Sequence, residues 1–593
     1  MSLQIKKNFN AFRGRFLHRL YELNVPSELY VILLAAAIGI LTGFGAYLLN
    51  LIVNFIHDLL YVDTVNFISP NYYSDFMRII FPALGGLAVG LLTFYFSPEV
   101  KGHGIPAVME AIAKSGGYIR KRVSVLTSIN SGLTIGSGGS AGKEGPIVQI
   151  GAAIGSTIGQ IFHVSQRRMK ILVGCGTAAG LAAVFNAPIA GVVFTIEIIL
   201  ADFSLKAFTP ITVASVIATA ISHYLIDSSP IFHIPGYSLN SPLEFPLYLA
   251  MGLVGGVLSV IFIKSLYGVE DFFEDKLKLP IYFKPALGGL LAGLVGYWYP
   301  EVYGFDDSVI HHALLGQAGI VLLLVLVFVK ILATSFTLGS GNTGGLFTPS
   351  LFIGAMYGAF FGNLAALFFP DIVAPPGAYA LVGMGVIVAG TIHAPLSAFL
   401  IIFEVTGDYQ IILPLMLGAV ASTLVANWIE NRSIYTMKLS FLSERIEHGW
   451  NMDLLQNIKI SSLIRKDADV IEDKTGFNRI LDIFMKSRFT TLPVLNSENK
   501  VVGLITLRDL RPILREQQLA SFLLAVDIMN ENFFVLEPEN TLAEAIKKME
   551  MDDFELLPVV ESQESMRFLG VVTKDDILKR YLKKDLILTE TGN

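Results

Sequence analysis

From Tyr30 to Leu439 the chain is dominated by apolar runs separated by short polar or Gly- and Pro-rich breaks. Some runs, such as "LYVILLAAAIGILTGFGAYLLNLIV", reach the roughly 20 residues that a bilayer-spanning helix needs. Others, such as "IIFPALGGLAVGLLTFYF", are shorter and broken by Gly and Pro. After about Phe441 the pattern changes: charged residues become frequent, and alternating apolar segments predict strands interleaved with amphipathic helices. The pattern therefore predicts a helical membrane part of residues 29–440 followed by a small α/β part.

Both parts repeat internally. Pro146, Ile150, Gly151, Gly155 and Gly159 follow P-x-x-x-I-G-x-x-x-G-x-x-x-G, and Pro349, Ile353, Gly354, Gly358 and Gly362 follow the same pattern 203 residues later. "NAPIAGVVFTIE", Asn186 to Glu197, returns 207 residues on as "HAPLSAFLIIFE", His393 to Glu404. The G-x-x-x-G spacing alone signals close helix packing, but the matched Ala-Pro pairs call for a duplication, with halves of about 29–227 and 245–440. Interrupted helices at matching places in two halves point to a binding site at the membrane midplane. In the second part, "NKVVGLITLRDL" and "MRFLGVVTKDDI" share G-h-h-T-x-x-D (h apolar), at Gly503/Thr506/Asp509 and Gly570/Thr573/Asp576. This predicts two modules over 458–515 and 523–584, after a linker of 441–457 and before a tail of 585–593.

Composition narrows the class. Charged residues make up 16% and hydrophobic residues 53%, against about 25% charged in a soluble domain. The net charge of −6 gives no sign of a nucleic-acid partner. The single cysteine, Cys175, excludes an intramolecular disulfide and a Cys-rich metal site; in "VGCGTAAG" it reads as a small buried packing residue. No H-E-x-x-H spacing occurs among the histidines, so no metalloprotease centre is expected and the metal set is empty. Residues 1–28 lack the apolar core of a signal peptide. Lys6, Lys7, Arg13, Arg15 and Arg19 precede the first apolar run and predict a cytoplasmic N-terminus.

One stretch stands out among the apolar runs: "GSGGSAGKEGP", Gly136 to Pro146. A phosphate loop needs G-x-x-x-x-G-K-[ST]; here Ser137 takes the first Gly position and Glu144 follows Lys143. A tight junction with its charges in water is a second reading. The third uses helix starts. Pro146 suits a first turn, glycines let backbone approach a ligand, and the unpaired N–H groups with the helix dipole attract an anion. "GNTGGLFTP", Gly341 to Pro349, and "KGHGIP", Lys101 to Pro106, supply two further such starts. Glu144 is then a tethered carboxylate that competes with an anion when charged and swings away when protonated.

The segments "GHGIP" (Gly102 to Pro106), "GKEGP" (Gly142 to Pro146) and "GLFTP" (Gly345 to Pro349), with "AGLAAVFNAPIAGVVFTIE" and Tyr435 in "RSIYTMKL", resemble the CLC family of chloride channels and chloride/proton antiporters. The resemblance spans nearly all of the membrane part, and the G-h-h-T-x-x-D modules resemble the tandem CBS domains common in that family. It implies a membrane α-helical fold of two inverted repeats with many tilted and broken helices, then a cytoplasmic α/β CBS pair, in a homodimer at the cell membrane. It implies that Glu144 gates the path. Tyr435 and the N–H groups of Leu346 and Phe347 bind a central anion, the "GHGIP" residues His103, Gly104 and Ile105 line the same site, and N–H groups around Lys143, Glu144 and Gly145 line the outer site. It implies transport of chloride or a similar small anion, with no enzyme chemistry and no required cofactor.

Two departures matter. His103 stands where chloride-selective members carry a donor serine; it either fills space with its ring bonded to a carbonyl, or offers a ring N–H as donor and alters selectivity or pH dependence. Ile198, in "TIEIIL", stands where antiporters usually carry an inner glutamate; Glu197 is kept. Ile198 cannot relay a proton, which favours a gated channel. The alternatives are a chloride/proton antiporter with another inner proton route and a transporter of nitrate or fluoride. Glu197 and Glu404 also suit caps or pairs at helix ends. In the CBS modules the resemblance implies that Thr506 and Thr573 face phosphates and Asp509 and Asp576 bond ribose hydroxyls of an adenine nucleotide (ATP, ADP or AMP); the other reading is that each Asp caps the helix after its strand.

Overall fold

The computed structural model describes residues 27–63, 74–96, 102–201, 204–225, 237, 239–304, 308–439, 458–487, 489–507, 509–510, 523–531, 533–551, 556–573 and 576–577. Apart from Ser27 and Glu28, the N-terminal stretch, the linker and the tail named above lie outside the described residues. The chain divides into two compact units, Met1–Leu439 and Ser440–Asn593.

The first unit is helical and built twice over. The first half holds α1 (Ser27–His57), α2 (Ser74–Phe96), α3 (Ile105–Lys114), α4 (Arg122–Gly136), α5 (Glu144–Phe162), α6 (Gln166–Phe185), α7 (Pro188–Phe194) and α8 (Leu205–Leu225). The second holds α9 (Phe245–Asp271), α10 (Lys284–Trp298), α11 (Ser308–Leu314), α12 (Ile320–Gly339), α13 (Phe347–Phe368), α14 (Pro376–Ile392), α15 (Pro395–Thr406) and α16 (Ile412–Ile429), before a short helix α17 over 434–439. Eight described helices are long and apolar enough to cross a bilayer.

The repeated sequence signals have physical causes. Asn186 (φ 55°) and His393 (φ 56°) end α6 and α14 in the left-handed conformation that closes a helix. The Ala-Pro pair that follows starts α7 and α15, where proline's missing N–H costs nothing. The G-x-x-x-G glycines bring backbones into contact. A Cβ on Gly151 of α5 would lie 2.0 Å from the Gly176 carbonyl of α6, and one on Gly354 of α13 would lie 2.4 Å from the Gly383 carbonyl of α14. The halves also meet reciprocally: a Cβ on Gly86 of α2 would strike the Pro285 carbonyl at 2.2 Å, and one on Gly289 of α10 the Pro82 carbonyl at 2.1 Å.

In the second unit, β1 (Ile471–Glu472) runs parallel to β2 (Thr491–Leu495), which pairs antiparallel with β3 (Val501–Thr506). A second antiparallel pair joins β4 (Leu556–Val560) and β5 (Phe568–Thr573). The amphipathic helices α18 (Phe477–Lys486) and α19 (Leu542–Met551) precede the two pairs. Each module borrows its opening segment from the other. Arg465 exchanges both backbone hydrogen bonds with Val571 at 2.9 Å, and Leu504 does so with Asn530 at 3.1 and 2.8 Å. Ile458 and Ile460 are buried with Leu557 and Val572 of the second module, while Ala525 is buried with Ile480 and Ile505 of the first. Linear boundaries therefore do not coincide with the packed halves.

Candidate anion site

The starts of α3, α5 and α13 converge. Gly142 and Gly345, one from each repeat, form a two-bond bridge: the Gly142 N–H donates to the Gly345 carbonyl at 2.9 Å, and the Gly345 N–H to the Gly142 carbonyl at 2.7 Å. Gly104 (φ 77°) brings α3 against α5 so closely that a Cβ there would lie 2.5 Å from the Gly145 carbonyl. One on Gly145 would lie 2.3 Å from the His103 carbonyl. All three helix starts thus share one small volume, as the repeated Gly-rich motifs predict.

Glu144 is fully buried within it. Its Oε1 accepts from the Phe347 N–H at 2.5 Å and the Thr348 N–H at 3.1 Å, and its Oε2 accepts from Thr348 Oγ1 at 2.9 Å. The first-repeat carboxylate therefore occupies the anion-attracting helix start of the second repeat. The two glycines of the bridge make room for it: a Cβ on Gly142 would lie 2.0 Å from Oε2, and one on Gly345 would lie 2.2 Å from Oε1. Leu346 and Phe347 are buried beside it. Lys143 turns its ammonium to Asn50 Oδ1 on α1 at 2.9 Å. The Thr348 hydroxyl was not singled out from sequence, although the Thr of "GLFTP" is the available signal.

Two further buried polar side chains, Tyr435 and His103, have no hydrogen-bond partner among the described residues. Tyr435, at the start of α17, is fully buried, its hydroxyl is unpaired, and it lies within electrostatic reach of Glu144. His103 is buried with both ring nitrogens unpaired, so its ring is not bonded to a carbonyl of the described residues. Its ring meets Tyr267 edge-on at 6.4 Å between centroids. Tyr267 donates to the Ile434 carbonyl and so fixes the start of α17. Lys438, paired with Glu270, is within electrostatic reach of His103. Unpaired buried donors cost about 1–3 kcal/mol each, and a small dehydrated anion is a partner that suits both the phenol and the imidazole N–H.

Ile198 lies half-buried in a π-helical turn, Thr195–Leu200, that extends α7. Next to it, Glu197 Oε2 accepts from the Ser397 N–H at 2.8 Å and its hydroxyl at 2.5 Å, in the first turn of α15. Glu404 returns the arrangement, accepting from the Ile189 and Ala190 N–H groups of α7 at 3.0 and 2.6 Å. Each acid caps a helix of the other repeat, which is the capping reading of both residues. Cys175 is buried in α6.

In the second unit, the Thr506 N–H and hydroxyl both donate to Asp509 Oδ2 at 2.7 Å. Thr573 Oγ1 donates to Asp576 Oδ2 at 2.6 Å, and Arg465 Nη2 to Asp576 Oδ1 at 2.7 Å. The motif's Thr and Asp are thus brought together in both copies. Asp509 keeps one oxygen with no hydrogen bond among the described residues, whereas Asp576 has both oxygens engaged.

Comparison with known proteins agrees with this geometry. The family description "Voltage gated chloride channel" matches residues 85–427, and "CBS domain" matches 460–516 and 525–583. The chain belongs to the voltage-gated chloride channel (CLC) family. It is 30% identical over 440 residues to the H(+)/Cl(−) exchange transporter ClcA of Salmonella arizonae, covering 72% of this chain and 92% of that protein. It is 29% identical to chloride channel protein CLC-f of Arabidopsis thaliana, covering 93% of this chain and 81% of that one. Its fold matches a slow cyanobacterial Cl−/H+ antiporter with a TM-score of 0.64 at 26% identity, covering 70% of this chain and 97% of that one. CLC proteins are membrane-embedded anion transporters or channels, and this chain is a multi-pass membrane protein of that kind, followed by two CBS domains.

Proposed function

We propose that the chain conducts chloride between its two membrane repeats as a passive channel gated by Glu144. The observation that carries this reading is the Glu144 carboxylate on the Phe347 and Thr348 donors. A charged side chain held where a free anion would bind closes the path, and its protonation weakens all three bonds and opens it. Selectivity comes from helix-start N–H groups together with the Tyr435 hydroxyl and the His103 ring. Two features favour a channel over an exchanger. Ile198 offers no titratable group, and the neighbouring Glu197 is committed to the α15 start. In this reading two such subunits form a homodimer, the CBS pair lies in the cytoplasm, and an adenine nucleotide at that pair modulates opening.

Proton-coupled exchange is the second reading, supported by the likeness to ClcA and to the cyanobacterial antiporter. The reversal potential of protein in proteoliposomes separates the two. With a chloride gradient fixed and a pH gradient imposed, the zero-current voltage of a channel stays at the chloride equilibrium value. A shift with pH overturns the passive reading and assigns Glu144 a second, inner proton route. His103 governs which anion passes: His103→Ser is expected to change the flux ranking of chloride, nitrate and fluoride. An unchanged ranking and pH profile would remove His103 from the selectivity site.

A further inference from the structure

α3 ends on Lys114, the segment joining it to α4 carries Arg120 and Lys121, α4 begins with Arg122, and the start of α6 adds Arg167 and Arg168. The two segments touch: a Cβ on Gly116 would lie 2.3 Å from the Gln166 amide, and one on Gly117 would lie 3.2 Å from Met169. The joining turn is fastened to α5. The Ile119 N–H donates to Ser156 Oγ at 2.8 Å, and Gln160 Nε2 donates to the Ile119 carbonyl at 2.8 Å. Six cations therefore lie in the adjoining ends of α3, α4 and α6 and the turn between α3 and α4.

Beside these cations lies a cavity of about 350 Å³. Its apolar lining with accessible surface is Ala107, Ala111 and Tyr118, its cationic lining is Lys114 and Arg120, and the one carboxylate lining it, Glu110, is paired with Lys114 at 3.1 Å. Its lining also includes Gln149 of α5, whose Cβ is 3.5 Å from where a Cβ on Gly104 would stand. The cavity therefore reaches to within one side chain of the anion site.

Short loops rich in Lys and Arg mark the cytoplasmic side of a membrane protein, and the leaflet there is the anionic one. A free phosphate ion would meet Lys114 and Arg120 but leave the apolar surface of Ala107, Ala111 and Tyr118 uncovered. An anionic phospholipid offers both chemistries, a phosphate for Lys114 and Arg120 and an acyl chain for Ala107, Ala111 and the Tyr118 ring. We propose that this cavity binds the phosphate headgroup of an anionic phospholipid and that occupancy acts on the anion site through α3. That helix carries Lys114 at one end and Gly104 and Ile105 at the other, a span of about 15 Å for its ten residues.

The test uses the full chain with phosphatidylglycerol as probe. In detergent, phosphatidylglycerol raises the melting temperature by roughly 3 °C or more over phosphatidylcholine. Soluble glycerol 3-phosphate does not. In vesicles, adding phosphatidylglycerol changes chloride flux at least about threefold, a shift of under 1 kcal/mol. Arg120→Gln combined with Lys121→Gln, both exposed positions, abolishes both effects, while Lys278→Gln keeps them. A melting shift that survives the double substitution, or that glycerol 3-phosphate reproduces, overturns the lipid site. A melting shift without a flux change overturns the link through α3. A flux change without a melting shift is a bulk surface-charge effect and overturns both. Absence of any flux in any vesicle refutes the transport reading, and the melting experiment still decides the site.

Discussion

At the scale of single residues, the Glu144 carboxylate, the gate of the proposed function, accepts three hydrogen bonds, and one of them comes from a side chain. Thr348 Oγ1 donates to Glu144 Oε2 at 2.9 Å. A hydrogen bond to a charged acceptor contributes about 1.5–3 kcal/mol. Thr348→Val keeps the shape and removes that donor, so the balance between seated and displaced Glu144 moves by roughly ten- to a hundredfold toward the open arrangement. Chloride flux near neutral pH is expected to rise wherever the seated gate limits it. Unchanged flux in a folded variant would show that the hydroxyl does not restrain the gate. Glu144, Phe347 and His103 stand in motifs fixed by backbone needs, glycines for close approach and prolines for helix starts, so the sequence points to their positions; Tyr435, in "RSIYTMKL", has no such signal and was reached only through the family resemblance. Thr348 was not singled out, because a threonine in a first helical turn has many roles, and only the carboxylate arriving from 204 residues away defines this one.

At the scale of elements, the repeats are tied by exchanged caps. Glu404 satisfies the first donors of α7, and Glu197 those of α15. Losing a helix cap costs about 0.5–2 kcal/mol. Glu404→Gln keeps one acceptor and loses the charge that the helix dipole favours, so a melting temperature lower by a few degrees is expected, with Glu197→Gln similar. If Glu197→Gln left the melting temperature alone and changed only proton movement, Glu197 would be a relay rather than a cap. The duplication was visible in sequence as matched Pro and Gly spacings. The exchange of caps was not, because an acid near a helix end does not state which helix it serves. The same limit applied to the CBS pair: the G-h-h-T-x-x-D copies marked two modules, but nothing local in "IKISSL" or "LLAVDIMN" announces that each completes the other module's core.

At the scale of the molecule, two tandem duplications each bring polar residues of the two copies together, and in each the copies have diverged. Glu144 and Phe347 occupy equivalent positions before Pro146 and Pro349. The first-repeat carboxylate bonds the backbone N–H of its own counterpart, so the proposed gate occurs once per chain rather than twice. The CBS pair shows the same inequality. Asp509 has one oxygen engaged by Thr506, while Asp576 is held by Thr573 and by the Arg465 guanidinium, itself lent from the start of the first module. A ribose diol needs an acceptor not already committed to a cation, so the first copy suits it and the second does not. Titration of the full chain with AMP or ATP is then expected to give one nucleotide per chain. Asp509→Ala should weaken binding by about tenfold or more, the loss of a hydrogen bond to a charged group, while Asp576→Ala should leave it within about twofold. Two nucleotides per chain, or equal losses at both positions, would show that Arg465 yields to the ligand and that the two copies are equivalent after all.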